Sequence, residues 1–320
     1  MRRRVALVPA LALLCVTSCQ GPGTRAESEA EPDRVEPPST EPETLPTGDA
    51  PVRDPLSYLP PDTRLVGQLD LRGLLSSADR RQGFTKGFAS GSPGLAAHVA
   101  AIEKCLGGIE TLESVTFGSP SVIAPVLVVR GKGIGTPATL RCYAEHPGIT
   151  WTLGADPTRF SLGAEQSFGF SAGPDTVLLS LDHPEGPLLE RIAGEGQSVL
   201  DRPESGRPAL DAKTRQGPLW VSVHVDEAMR PQLAGTPASS LRAARCRADL
   251  QGEKLRASCR LELDPAQATA LAAALADPDG PTWTALAGAG FPSEALKATA
   301  SGESLTVSME LPLSVLSGRG

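Results

Sequence analysis

Residues 241–263, LRAARCRADLQGEKLRASCRLEL, decide how this chain is expected to fold. Two runs of alternating apolar and polar residues flank Gly252-Glu253, which suits a two-residue type II′ turn because glycine stands first. That turn fixes an antiparallel register in which Cys246 lies directly opposite Cys259, at a non-hydrogen-bonded pair where Cα atoms approach to about 4.5 Å. The sequence therefore predicts a β-hairpin closed by a Cys246–Cys259 disulfide.

The same register separates the side chains of the hairpin by face, because successive residues of a strand point to opposite sides of the sheet. Apolar side chains join the two cysteines on one face, namely Ala244, Ala248, Leu250, Leu255, Ala257, Leu261 and Leu263. The other face takes mostly charged side chains, namely Arg245, Arg247, Asp249, Arg256, Ser258, Arg260 and Glu262. This division supports the register independently of the turn.

Two further cysteines, Cys105 and Cys142, lie in the first half of the predicted folded part. An even number of cysteines in an exported chain suggests disulfides, and four cysteines allow three pairings. One pair in each half is the economical assignment, so Cys105–Cys142 is the second predicted disulfide. Buried free thiols are the alternative for Cys246 and Cys259.

Two segments, residues 65–71 and residues 219–225, begin alike and open similar series of elements. Each is an apolar strand pattern followed by a helix-like stretch, and the order common to both halves is β-α-β-β-α-β-β. The pattern predicts an α+β fold of two tandem repeats, residues 57–200 and 205–320. Mostly hairpin connections imply mostly antiparallel sheets with helices on one face.

The composition of the 320 residues excludes some classes of protein. The formal net charge is −7, and a nucleic-acid-binding protein is expected to carry a basic face instead. No run reaches the roughly 18 apolar residues that a membrane-spanning helix requires. We therefore expect neither a nucleic-acid partner nor an integral channel or transporter.

The first 18 residues have the organisation of an export signal. Arg2, Arg3 and Arg4 precede an apolar stretch at residues 5–16 that is too short to span a membrane. The following Val16-Thr17-Ser18-Cys19 resembles the lipobox of bacterial lipoproteins. The resemblance implies that residues 1–18 are removed by signal peptidase II and that Cys19 carries the acyl chains. An ordinary secretory signal cut after Ser18 is the alternative.

Gln20 stands next to the predicted lipidated cysteine. In the lipoprotein family an aspartate there favours retention in the inner membrane, so glutamine implies transfer to the outer membrane. The lipid anchor makes the membrane the first expected partner. As a whole, the organisation resembles that of uncharacterised duplicated lipoproteins of GC-rich Gram-negative bacteria.

Residues 19–56 are predicted to be a disordered tether. From residue 20 onward the segment holds eight prolines, nine acidic residues and three arginines, which gives a net charge of −6. Such a segment buries too little apolar surface to offset the entropy lost on ordering, and proline and like charge extend it. Its predicted role is to hold a folded body away from the membrane.

The motif Gly169-Phe170-Ser171-Ala172-Gly173 matches the G-x-S-x-G pattern of serine hydrolases, but its context predicts a β-hairpin. In those enzymes the serine lies at a sharp turn between a strand and a helix, whereas here a Gly-Pro-Asp turn and a second strand follow. His183 or His224 would have to act as the base, with Asp182 or Asp211 as the acid. Catalysis by Ser171 is therefore the least favoured function.

Two other candidate sites receive structural interpretations. Residues 131–135, GKGIG, lie between a strand and a helix but match neither glycine-rich phosphate-binding spacing, so a flexible turn is expected. Anion binding at that helix end is the alternative. The histidines lack metal-ligand spacing, so no metal and no cofactor are expected; they are His98, His146, His183 and His224.

Together these features predict a non-enzymatic, lipid-anchored lipoprotein of the cell envelope. Its expected role is to bind or scaffold another envelope protein or polymer whose identity stays open. The alternative is a carrier that encloses an apolar ligand, such as a lipid or a lipoprotein tail, in the periplasm. A serine hydrolase using Ser171 ranks last.

Overall fold

The structure is a computed structural model that describes residues 53–312. Within that range it leaves out residues 92, 121–124, 157, 164–166, 182–184, 236–237, 253, 278–279 and 281–295. Cys19, the signal and residues 19–52 of the tether therefore lie outside the described residues.

Twelve strands of the described chain form one sheet, and every pairing between neighbouring strands is antiparallel. In sequence order they are β1 (Leu65–Asp70), β2 (Leu112–Ser119), β3 (Val126–Gly131), β4 (Thr152–Leu153), β5 (Arg159–Ser161), β6 (Ser167–Ser171), β7 (Thr176–Leu181), β8 (Leu219–His224), β9 (Ala243–Gln251), β10 (Lys254–Glu262), β11 (Leu296–Ser301) and β12 (Ser304–Pro312).

The strands lie side by side in the order β11-β12-β10-β9-β8-β1-β2-β3-β7-β6-β5-β4. The first half of the chain therefore forms one side of the sheet, and the second half forms the other. They meet where β1 pairs with β8, from Leu65 opposite Val223 to Leu69 opposite Leu219. An ion pair between Arg64 and Asp226 lies beside this junction.

The described α-helices are α1 (Leu71–Leu74), α2 (Ala78–Gly91), α3 (Pro93–Leu106), α4 (Pro137–Ala144), α5 (Glu185–Ala193), α6 (Arg230–Leu233) and α7 (Pro265–Ala276). Short 3-10 helices occur at Pro55–Tyr58, Ile109–Thr111, Val199–Asp201 and Glu204–Gly206.

Local sequence explains where several helices begin. Asp70 ends β1 and caps α1, since its side chain accepts hydrogen bonds from the backbone of Arg72 and Gly73. Thr136 caps α4 by accepting from the backbone N–H of Thr139 at 3.3 Å, and proline follows it at the first helical position.

Strand register divides the side chains into two faces, because residues directly opposite in neighbouring strands point to the same side. We call the side that carries Cys246 and Cys259 the disulfide face. Apolar clusters cover it along the whole sheet, under α7 in the second half and under α1, α3 and α4 in the first.

The opposite side, which we call the strap face, is covered only in part. Leu56, Tyr58 and Leu59 pack there as a strap, and Leu188 and Ile192 of α5 pack beside them. These side chains bury strap-face residues of β8, β1, β3, β7 and β6, namely Trp220, Val66, Val126, Val128, Leu178 and Phe170.

Three expectations need correction. The helices do not all lie on one face, because β3 is buried on its strap face as well and α5 covers it there. The sheets of the two halves are not separate, because β1–β8 pairing joins them. The folded body also begins before residue 57, since Pro55 and Leu56 are buried.

The described helices include none that is both long and apolar enough to cross a membrane.

Candidate binding surface

The strap face of β9, β10, β11 and β12 has no described element packed over it. On β10 the exposed residues alternate with buried ones, as Arg256 and Arg260 alternate with Ala257 and Cys259. Trp220 on the neighbouring β8 is only 2% exposed, so the strap-side cover extends as far as β8. We call the strap-face side chains of these four strands the open patch.

The open patch is basic although the chain as a whole is acidic. Register places six basic side chains in it, Arg245, Arg247, Lys254, Arg256, Arg260 and Lys297. It places three acidic side chains among them, Asp249, Glu262 and Glu310. The patch therefore carries a net charge of +3 in a protein whose formal net charge is −7.

Half of these cations are paired within the patch. Glu310 accepts hydrogen bonds from Arg256 at 2.7 Å and from Lys254, and these bonds hold the pKa of Glu310 below its usual value. Arg245 pairs with Glu262 at 3.2 Å. Carboxylates of the patch itself therefore neutralise part of its positive charge.

The carboxylate of Asp249 forms no ion pair with a described residue, and neither do three cations of the patch, Arg247, Arg260 and Lys297. The side chains of these three cations are exposed. Arg247 and Lys297 lie at the two ends of a row of directly opposed residues. The row runs from Arg247 on β9 through Ser258 on β10 and Ser308 on β12 to Lys297 on β11. This row spans three strand spacings, or about 14 Å.

An open groove of about 670 Å³ runs through this row. Its charged lining consists of three cations and two carboxylates, a net charge of +1, and its hydroxyls are two serines: Arg247, Arg256, Lys297, Asp249, Glu310, Ser258 and Ser308. Guanidinium, ammonium and hydroxyl groups donate hydrogen bonds, and the cations attract negative charge. The arrangement is suited to holding carboxylate or phosphate groups.

The cysteines predicted to pair are bonded. Cys246 and Cys259 lie directly opposite in β9 and β10, with Cα atoms 4.0 Å apart, and the register of the hairpin is the one expected from its turn. Gly252 has a φ of 61°, as the first position of a type II′ turn requires, whereas Glu253 lies outside the described residues. Cys105 and Cys142 join α3 to α4.

Ser171 lies at the end of β6, in the predicted hairpin with β7. It is 7% exposed, and its hydroxyl donates to the carbonyl oxygen of Gly135 at 2.7 Å. His224 on β8 is five strand spacings away, or about 24 Å. The structure therefore does not bring His224 to Ser171, and the hydroxyl binds backbone.

The remaining candidate partners of Ser171 give no support to a hydrolase site. Asp211 accepts hydrogen bonds from the backbone N–H and hydroxyl of Thr214, which hold the pKa of its carboxyl below the usual value. His183 and Asp182 lie outside the described residues.

The glycine-rich segment at residues 131–135 forms a turn between β3 and α4. The backbone N–H of Gly133 donates to Asp175 Oδ1 at 2.7 Å, and Gly133 has a φ of 74°. The contact of this amide is therefore structural, because a carboxylate of the chain itself already accepts its hydrogen bond.

Three of the four histidines, His98, His146 and His224, lie in the described residues, and His183 does not. The part of the chain that the structure describes contains no group of three or more His, Cys, Asp or Glu side chains that could hold a metal. His98 Nδ1 lies 2.8 Å from the hydroxyl of Tyr143 in an aromatic cluster, and burial lowers the pKa of His98. This histidine is a packing residue.

The composition of the chain did not predict the open patch. The negative net charge argued against a basic surface, but most of that charge lies in the tether. The signal was nonetheless present in residues 241–263, where arginines occupy one face of the hairpin. What the alternation could not show is that no described element covers this face while the neighbouring strands have a cover.

No protein-family model and no curated protein matches this sequence. Two crystal structures of TP0453 are similar in fold, each with a TM-score of 0.52. Crystal form III is 10% identical and aligns over 83% of this chain and 97% of that one. Crystal form IV is 9% identical and aligns over 83% and 95%. At this identity the likeness concerns the fold alone.

Proposed function

We propose that this protein is a lipid-anchored, non-enzymatic binding protein of the cell envelope that holds an anionic envelope component in its open patch. The observation that carries the proposal is a sheet half over which no described element packs, with a groove lined by hydroxyls and by Arg247 and Lys297, which form no ion pair with a described residue. The lipobox-like sequence ending at Cys19 supports the anchor, and Gln20 supports the outer membrane as its location.

We also infer that the two halves of the body descend from one duplicated unit. The strands of the first half lie in the order β1-β2-β3-β7-β6, and those of the second lie in the order β8-β9-β10-β12-β11. In each half a helix follows the third strand, α4 in the first and α7 in the second. The first half adds β4, β5 and the α2–α3 pair to this common plan.

Binding is tested with the full chain carrying Cys19→Ala and two labelled probes, polyglutamate and polyphosphate. Three charge reversals in the open patch are compared with wild type: Arg247→Glu, Arg260→Glu and Lys297→Glu. Exposed ion pairs are individually weak, so we expect the combined variant to lose affinity by about tenfold or more. The two probes distinguish recognition of carboxylates from recognition of phosphates.

A matched control reverses three exposed cations away from the open patch, Lys104→Glu, Arg141→Glu and Arg230→Glu. These three residues form no ion pair with another described residue, and the change in net charge is the same. We expect the control to bind as wild type does within about twofold. Equal losses in both variants would mean that only the total charge matters and that the patch is not the site.

The anchor is tested by fractionation of cells labelled with radioactive palmitate. We expect label on wild type and none on the Cys19→Ala variant, which should leave the membrane fraction. Membrane association of the variant together with an unlabelled wild type would contradict lipidation at Cys19.

A further inference from the structure

The tether joins the folded body on the same side of the sheet as the open patch. The guanidinium of Arg53 donates to the last carbonyls of α5, at 3.3 Å to Arg191 and 3.2 Å to Ile192. The last carbonyls of a helix lack intrahelical partners, and here the backbone N–H of Gly194 also donates to the Arg191 carbonyl at 3.1 Å. A cation beside these carbonyls is stabilised by the helix dipole. The guanidinium of Arg130 on β3 binds the carbonyl oxygen of Arg53 in turn. Arg53, where the described residues begin, is therefore held against the strap face.

Strand register relates this exit point to the open patch. Arg130 on β3 lies opposite Ser114 on β2, and Ser114 lies opposite Asp70 at the end of β1. One residue beyond the last β1–β8 and β8–β9 pairs, the same row continues to Asp249 on β9, which lies opposite Arg256 on β10. The exit and the groove therefore lie in the same row of the sheet. They are five strand spacings apart, or about 24 Å along the sheet.

The segment of the tether that can reach the groove is acidic. Residues 41–49, EPETLPTGD, contain Glu41, Glu43 and Asp49 and no basic residue. Glu41 and Glu43 precede Arg53 by twelve and ten residues, and a proline-rich chain spans about 37 Å and about 31 Å over those lengths. Arg247 on β9 and Arg260 on β10 lie four and five strand spacings from β3, or about 19 Å and about 24 Å, so both glutamates can reach them, whereas Asp49 spans only about 12 Å from Arg53.

We propose that residues 41–49 dock on the open patch of the same molecule, with the carboxylates of Glu41 and Glu43 at Arg247 and Arg260. The segment is attached to the body, so its effective concentration at the patch is on the order of millimolar, which favours even weak pairing. The contacts are exposed, so salt weakens the docking.

Docking has two consequences for the proposed function, whose surface it shares. A polyanion that binds the patch must displace the segment, so the tether lowers the affinity for such a partner. Release of the segment also lengthens the free tether, which couples occupation of the patch to the distance between body and membrane. The docking itself does not depend on which partner the patch binds.

Photo-crosslinking in the full chain carrying Cys19→Ala tests the docking. Benzoylphenylalanine replaces Thr299, which is exposed on the strap face of β11, and in a matched control it replaces Ala270, which is exposed on α7. We expect crosslinks within one molecule to residues 41–49 about fivefold more often from position 299 than from position 270. Neutralisation by Glu41→Gln, Glu43→Gln and Asp49→Asn, or salt at about 0.5 M, should reduce the yield at position 299 about fivefold.

Equal yields from the two positions, or a yield that neutralisation leaves unchanged, would overturn the docking. The neutralised chain also binds polyglutamate more tightly than wild type if the segment occupies the patch, by about threefold or more. Polyglutamate binding without the crosslinks would leave the proposed function standing and remove the docking. Crosslinks in the chain with its native acidic residues, together with no probe binding by the neutralised chain, would leave the docking standing and remove the proposed function.

Discussion

At the scale of single residues, close packing leaves no room for a side chain at Gly169. Gly169 lies directly opposite Phe160 in the pairing of β6 with β5, and the phenyl ring covers it. Phe160 is 1% exposed and packs with Leu140 and Val177 under α4. A methyl group at position 169 would have to displace this ring.

We predict that Gly169→Ala lowers the free energy of unfolding by about 1–3 kcal/mol, because a buried aromatic ring must move. Gly186→Ala is the matched control, since no atom lies within 4 Å of its added Cβ and alanine favours the helix α5 by up to about 1 kcal/mol. Urea unfolding of both variants measures the difference. A Gly169→Ala protein as stable as wild type would show that the Phe160 ring can move away from position 169 without loss of stability.

At the scale of elements, the Cys105–Cys142 disulfide ties α3 to α4, two helices on the disulfide face. The bond spans 37 residues of sequence, against 13 for Cys246–Cys259. In the chain-entropy model the longer loop gives the larger stabilisation, about 4 kcal/mol against about 3 kcal/mol.

We predict that Cys105→Ala with Cys142→Ala lowers the free energy of unfolding by about 3–4 kcal/mol, measured in urea. Hydrogen exchange should rise more in α3 than in β9 and β10, because local opening of the helices adds to the loss of global stability that the whole sheet shares. An increase in β9 and β10 as large as that in α3 would contradict this local role.

The elements also show which parts of the fold the sequence could predict. The β9–β10 register followed from a turn and an alternation that are both local to residues 241–263. Helix α2 was not predicted, because its sequence, ADRRQGFTKGFASG, is polar and contains glycines that disfavour helix. Its Phe84 packs into the cluster of α1 and α3, a tertiary contact that local propensity does not report.

The open patch was predictable as a polar strand face but not as a site. The apolar residues 126–129 of β3 are typical of a strand buried on both sides, a pattern that the expectation of helices on one face did not take into account. The second layer over the first half comes from the strap and from α5, which are distant in sequence from β3. Pairing of β1 with β8 is equally long-range, and no local pattern contains it.

At the scale of the whole molecule, the β1–β8 junction makes one body of the two halves. Trp220 belongs to β8 of the second half, yet its side chain is buried in the apolar cluster of the first half with Val66 and Phe170. The Arg64–Asp226 ion pair crosses the same junction. The halves therefore share a core as well as a sheet.

We predict that Trp220→Ala destabilises both halves together, by about 3–5 kcal/mol. Hydrogen exchange of β3 and of β10 in increasing urea follows the two sides of the junction separately. A single shared transition is expected for wild type and for the variant. Loss of β10 at a lower urea concentration than β3 would mean that the halves unfold independently.

The placement of the tether exit relative to the groove determines how the body bears mechanical load. With the proposed anchor and a partner of the proposed kind seated near Arg256, a pull on the partner away from the membrane would bring tension into the sheet at Arg53 and out of it five strands away, in the same row. The line of tension therefore runs across the strands, parallel to the hydrogen bonds that join them. Tension in that direction opens one strand pair at a time, whereas tension along the strands would strain every bond of a ladder at once. The protein yields by peeling, and β1–β8, with five paired positions, is one of the ladders that the tension must cross.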